Sequence, residues 1–435
     1  MVWIYGGGFV SGSSDYNTYA PDYILDKDVL YVSFNYRLGI FGFLSTEDLA
    51  APGNWGLKDQ ILALKWVKKN IAHFGGDTSK ITIFGESAGA ASVSYLVNSN
   101  LTKGLYRAAI MESGNGLCLW SLSRNAKTKA QQVGKELNIT ETNSTALIER
   151  LRLVDYKQLK SAENNVTVKI LSDGDILAGL PFAVVQEPDH SGAVLSGRTY
   201  EILASGKFNR VPSIIGYNSN ELAARITGSN YLLVIGFLNL KVLPKNLAPY
   251  DLTNVTSKRN EAGNKIKNKY LGFLLITDLD KAFRFATIDQ FNRPVRKTVH
   301  MMSRYSNVYY YKFSYEGKLG NSNRTVSGVQ HAEDMNYIFY KNVSVSEKDS
   351  LTVKRVITMW TNFAKTGNPT SSNGTGVLRN ITWIPNTPST NVSESVHYLN
   401  INDTVTMQKN PEQDDWLFYK DIYNTYGDPS YYTTY

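Results

Sequence analysis

The chain has 435 residues, 42% of them apolar and 12% aromatic, which is ample material for a large core and too apolar for a disordered protein. Its net charge of +8, from 46 basic and 38 acidic residues, is spread without blocks, and the absence of a basic stripe with interleaved aromatics argues against a nucleic-acid partner. The length allows two or three domains or one large α/β unit, and no apolar run approaches the ~20 residues of a membrane span.

The chain opens MVWIYGGGF. Val2, Trp3 and Ile4 read as the interior of a buried strand, and Gly6, Gly7 and Gly8 mark either a loose turn or a place where bare backbone approaches something closely. VLYVSFNYR (29–37) is a β-branched and aromatic strand run. GLKDQILALKWVKKNIAHFGG (56–76) carries Ile61, Leu62, Leu64, Trp66, Val67 and Ile71 at helical spacing and stops at Gly75-Gly76. KITIFGESAG is a short apolar strand running into glycine, ASVSYLV resumes as a helix, and YRAAIMESG (106–114) is another strand. This alternation predicts a mostly parallel sheet covered by helices.

From about 121 to 205 the pattern is more helical and polar, RVPSIIGYNSNE (210–221) returns to a β run, and 225–300 reads as helices and loops. NVYYYKFSY (307–315) is an aromatic strand, and SLTVKRVITMWTNFAKTG (350–367) is a helix closed by glycine. With no linker or internal repeat, residues 1–435 are expected to form one α/β domain with helical excursions around 121–205 and 225–300.

Gly85-Glu86-Ser87-Ala88-Gly89 is a G-x-S-x-G. The pattern alone is weak, but a strand precedes it and a helix follows at once, the context in which a sharp turn holds a serine hydroxyl out at the top of a sheet. A serine needs a base, and the base an orienting acid. With the order serine, acid, histidine, the five histidines His73, His190, His300, His331 and His397 reduce to the last three. His397 sits in a strand-like SVHYLNI and His300 on a helical stretch, both better suited to structural roles, whereas His331 lies on a polar loop. Many carboxylates could serve as the acid; Glu221 is attractive because it follows a strand's carboxyl end, where α/β sites collect.

The chain resembles the type-B carboxylesterase and cholinesterase family of α/β-hydrolases. The resemblance is carried by WIYGGGF (3–9), FNYRLGIFGFLS (34–45), APGNWGLKDQILALKWVKKNIAHFGGD (51–77), TIFGESAGAASV (82–93), FNRVPSIIGYNSNE (208–221), HAEDMNYIF (331–339) and MWTNFAKTGNP (359–369). It covers nearly the whole chain and implies the α/β-hydrolase fold. It makes Ser87 the nucleophile, Glu221 the acid, His331 the general base, and the backbone N–H groups of Gly7, Gly8 and Ala88 the oxyanion hole. Trp120 matches a tryptophan of the family's acyl pocket. The implied reaction is carboxylic ester hydrolysis of a small-molecule substrate through an acyl-enzyme, with no metal or cofactor.

Departures from the family sharpen these expectations. Leu222 stands where a glycine usually follows the acid. Cholinesterases place aromatics just after the acid to hold a cationic head; here Ala223, Ala224 and Arg225 follow, and an arginine would repel such a group, which points to neutral or apolar esters. The family carries further strands and a disulfide loop before WIYGGGF, so the resemblance implies a chain lacking N-terminal strands, either a fragment of a longer enzyme or the product of a gene read from too late a start. Cys118 is the single cysteine, and eleven Asn-X-Ser/Thr sequons, at Asn100, Asn138, Asn143, Asn165, Asn254, Asn323, Asn342, Asn373, Asn380, Asn391 and Asn402, point to a secretory route. Two alternatives compete: an adhesion protein that keeps the fold without catalysis, and a stoichiometric scavenger of organophosphate-like compounds.

Overall fold

The computed structural model describes residues 1–172, 179–223, 243–272, 278–324, 326–370, 376–388 and 395–432. Its centre is an eight-stranded sheet of order β2-β1-β3-β4-β5-β6-β7-β8. The strands are β1 (Val2–Ile4), β2 (Val32–Ser33), β3 (Thr82–Glu86), β4 (Ala108–Glu112), β5 (Ser213–Asn218), β6 (Val308–Phe313), β7 (His397–Ile401) and β8 (Thr406–Lys409). All neighbours pair in parallel except β7 and β8. Every residue of β1, β3, β4 and β5 is buried. Helices covering both faces require this, and it explains why these segments read as continuous apolar runs rather than alternating ones.

The strand order contains a switch that locates the site. From β1 the chain pairs β2 on one side, then crosses to place β3 on the other. Connections that leave in opposite directions open a crevice at the carboxyl ends of the strands. Here the ends of β1 and β3 flank it: Gly6–Gly8 follow β1 and Ser87 follows β3.

Two expectations change on folding. The 29–37 run contributes only Val32–Ser33 as strand. The predicted helix forms over Trp55–Asn70 and continues as a 3-10 turn to Phe74, ending where Gly75 turns left-handed at φ 80°. It buries Leu57, Ile61, Leu64 and Val67 but leaves Leu62 and Trp66 68% and 51% exposed. At 100° per residue those two fall opposite the buried stripe, so their apolar character did not report burial.

The helix Glu347–Thr366 is fixed at both ends. Ser346 accepts the Asp349 N–H at its start, and Gly367 takes the left-handed conformation at its end. It buries Trp360, whose indole N–H donates to Glu112 at the end of β4. A second, smaller apolar core lies apart from the sheet. There the helices Thr256–Tyr270 and Leu279–Thr287 meet the C-terminal helix Gln413–Tyr426 through Ile266, Phe285, Ile288, Tyr419 and Ile422.

Candidate active site

The sharp turn after β3 is made by sterics that the motif encodes. A Cβ on Gly89 would lie 1.9 Å from the Ile4 carbonyl oxygen, so the helix Ala88–Asn98 crosses β1 at a distance only glycine allows. Between strand and helix, Ser87 adopts φ 57° and ψ −124°, a conformation costing on the order of 1–3 kcal/mol that persists only where its surroundings over-determine it. Its N–H donates to the Glu112 carbonyl at 2.8 Å, which ties the turn to β4. Phe9, Ser113 and Ala332 also take positive φ; they follow Gly8, Glu112 and His331, so backbone strain gathers around one point.

His331 reaches that point from the connection after β6. Its Nε2 lies 2.8 Å from Ser87 Oγ, and its Nδ1 lies 2.7 Å from Glu221 Oε2. The His331 backbone N–H also donates to the Glu221 carbonyl at 2.9 Å, so acid and base are joined by main chain as well as side chain. Glu221 is buried, and its second oxygen accepts the Asn218 N–H at 2.7 Å. With Glu221 accepting from Nδ1, that nitrogen carries the proton and Nε2 is left to accept from the serine hydroxyl. The structure therefore brings Ser87, Glu221 and His331 into one hydrogen-bonded line.

At the end of β1, Gly6 packs on Ser87, where a Cβ would lie 2.9 Å from the Ser87 Cβ, and Gly7 and Gly8 follow it. Gly7 has φ 105°, and a Cβ there would sit 2.2 Å from the Ser11 carbonyl oxygen. That carbonyl-rich turn is closed by Val10 and Ser11 N–H groups donating to Gly7 O. Among the described residues the N–H groups of Gly7, Gly8 and Ala88 meet no acceptor. Trp120 is half-buried; its ring centroid is 6.5 Å from that of Phe9 and 5.7 Å from that of Phe291, and its indole N–H donates to the Gln290 carbonyl at 3.1 Å. Leu222, which replaces the expected glycine, donates its N–H to Thr287 Oγ1 at 3.0 Å. Ala223 is buried, whereas Ala224 and Arg225 lie outside the described residues.

Several groups here were not singled out from sequence. Glu86, inside the motif itself, is buried with Oε1 3.2 Å from His331 Nε2. Asp334, three residues after His331, is buried and accepts from Asn218 Nδ2 at 2.8 Å, while the same amide donates to Gln330 O at 2.9 Å. Asn218 thus holds the acid with its backbone and the histidine loop with its side chain. Phe291 places its ring centroid 5.1 Å from the His331 ring. The first two had a signal in their closeness to motif residues; Phe291 had none.

Desolvation and charge compete in this cluster. Burial pushes Glu86 up, and the neighbouring Asp334 and Glu221 add to it against the opposing His331. Burial alone would pull the imidazole down, but Glu86, Glu221 and Asp334 outweigh it and raise it. Asp334 is raised to about 7 by burial, with the Asn218 hydrogen bond opposing. Glu86 Oε1 faces Nε2 at 3.2 Å without a hydrogen bond to it, so this carboxylate acts on the imidazole through its charge. A proton on Nε2 blocks the serine's base, and one on Glu86 instead leaves the base free.

The Carboxylesterase family model matches residues 1–419. Juvenile hormone esterase of Tribolium castaneum is 33% identical over 404 residues, covering 85% of this chain and 67% of that protein. Liver carboxylesterase of Sus scrofa is 32% identical, covering 97% of this chain and 73% of that protein. Among solved structures, juvenile hormone esterase from Manduca sexta with OTFP covalently attached superposes with a TM-score of 0.83 at 26% identity, covering 97% of this chain and 80% of that one. The chain spans about two thirds of the length of several of the curated relatives it matches.

Proposed function

This chain belongs to the carboxylesterase family, and on that premise we propose that it hydrolyses carboxylic esters through an acyl-enzyme on Ser87. The observation that carries the proposal is the line from Ser87 Oγ through His331 to Glu221, with spacings of 2.8 and 2.7 Å.

Ser87 Oγ attacks the ester carbonyl while His331 Nε2 takes its proton, and Glu221 stabilises the imidazolium that results. The oxygen becomes negative and is met by the N–H groups of Gly7, Gly8 and Ala88, each such donor being worth about 2.7–4 kcal/mol at the transition state. His331 returns the proton to the departing alkoxide, which leaves as the alcohol. A water then gives its proton to His331 and attacks the acyl-Ser87 carbonyl. Collapse breaks the acyl–Oγ bond, returns the proton to Ser87 and frees the acid. The relatives named as esterases support this reaction class, and the covalently occupied insect enzyme supports its covalent character.

Phe291 sets its ring centroid 5.1 Å from that of His331, and Trp120 and then Phe9 extend this aromatic chain, an apolar wall that favours neutral or apolar esters. A secretory route is part of the same proposal. Nine of the eleven sequon asparagines lie in described residues, and eight of these, all but Asn402, are exposed. Among the described residues no helix is long and apolar enough to cross a membrane.

The test is hydrolysis of short-chain p-nitrophenyl esters together with labelling by a fluorophosphonate. Ser87→Ala should lose about 10⁴- to 10⁶-fold in kcat, as removal of a triad nucleophile does, and should lose the label while keeping its thermal midpoint. Equal rates in wild type and Ser87→Ala would overturn the assignment.

A further inference from the structure

One stretch of helix, residues 287–293, reaches the His331 ring, Trp120 and the residue that follows Glu221. The helix Leu279–Thr287 does not run evenly into Arg293–Met302. Between them Ile288–Asn292 form a π turn, in which the Arg293 N–H donates to the carbonyl of Ile288, five residues back. A π turn inserts one residue into the helical register, rotates the side chains that follow, and leaves carbonyls free of their usual partners.

Each consequence is used at the site. The carbonyl of Gln290 accepts the Trp120 indole N–H at 3.1 Å. The Phe291 ring is carried onto His331 at 5.1 Å and onto Trp120 at 5.7 Å. Just before the turn, Thr287 is buried and its Oγ1 accepts the Leu222 N–H at 3.0 Å, next to Glu221. The opposite face of the turn is held elsewhere. Ile288 packs into the second core, and buried Asp289 pairs with buried Arg293 at 3.1 Å. Arg293 stacks over Tyr419 and Tyr423 of the C-terminal helix, at 5.0 and 5.4 Å from their ring centroids, and the Tyr423 hydroxyl donates to Asp251 at 2.9 Å.

We propose that the segment 287–293 is the positioning element of this site, with Thr287 bracing the acid loop and Phe291 seating the His331 ring, and with the second core as its anchor. Neither residue is within reach of a reacting atom as acid, base or donor; both act through Glu221 and His331. The inference rests on the ester-hydrolase reading. It adds that the second core and the C-terminal helix are mechanically part of the active site.

The experiment compares Thr287→Val, which keeps the branched shape but removes the acceptor, with Thr287→Ser, which keeps the acceptor, and adds Phe291→Leu. For each, kcat and KM on p-nitrophenyl butyrate are measured beside a fluorophosphonate titration of competent sites and a thermal midpoint. Thr287→Val and Phe291→Leu should lower kcat about tenfold with KM held within about twofold, the pattern of a misplaced catalytic group rather than lost substrate binding. Thr287→Ser should restore kcat to within about twofold of wild type, a rescue that general loosening would not produce. Unchanged kcat in both disruptive variants, or equal losses in Thr287→Val and Thr287→Ser, would overturn the positioning role while wild type still titrates and turns over. A wild type that neither labels nor hydrolyses would overturn the ester reading, and this inference with it, and is recognised as that separate result.

Discussion

The two sides of the candidate site are built by different physics. On the Ser87 side, backbone meets backbone. Gly89 lets the Ala88–Asn98 helix close on Ile4, Ser87 sits strained between strand and helix, and the glycines after β1 lie alongside. On the opposite side, Thr287, Gln290 and Phe291 reach the site through one hydroxyl, one carbonyl and one ring, and their support is a separate core. The first side has no slack, because a carbonyl oxygen cannot move aside for a Cβ. The second side can be altered atom by atom.

The contrast can be broken most severely at Gly89. Gly89→Val should yield no stably folded protein, since even its Cβ would stand 1.9 Å from the Ile4 carbonyl and overpacking against rigid backbone costs about 3 kcal/mol or more. Soluble yield and a thermal melt would check this, and a variant with a near-native midpoint would refute the account of the turn. Next in size is the anchor of the other side. Asp289→Ala removes the nearest carboxylate from buried Arg293, and losing one member of a buried ion pair typically costs about 3–5 kcal/mol. Urea unfolding should show that loss, while the protein that remains folded should still be labelled at Ser87 because the turn after β3 belongs to the other core. Loss of labelling in proportion to turnover would show that the two sides are not separable.

The smallest effect concerns the charge that faces His331. His331 must be neutral to act as base, so activity should rise with pH through its titration. The carboxylates raise the imidazole, which puts that acid limb above the ordinary histidine value of about 6.5. Glu86→Gln removes the carboxylate facing Nε2 and should move the limb to lower pH. A limb that stays put or rises in the kcat/KM profile would mean that the Glu86 charge does not raise His331.

Reading the fold from sequence worked wherever a constraint was local. The glycines of GESAG, the apolar runs of β3 to β6 and the Gly367 cap all announce themselves because the reason for each lies within a few residues. Leu62 and Trp66 misled because apolar character does not say which face of a helix is covered. Histidine order left His300, His331 and His397 open on residues alone, and the resemblance chose His331. The structure then places the His300 ring against Arg304 and His397 at the start of β7, and only His331 between Ser87 and Glu221.

What the sequence by itself determined is therefore the parallel sheet, the strand–turn–helix at Ser87 and the family to which the chain belongs, because periodicity and steric necessity are written in consecutive residues. What only the tertiary structure decided is the other half of the site: Asn218 joining the acid to the histidine loop, Glu86 and Asp334 sharing its charge, and Phe291 arriving through a π turn. A register shift of one residue carries no compositional mark. Its placement comes from residues more than a hundred positions apart closing two cores against each other, and only the folded chain brings them together.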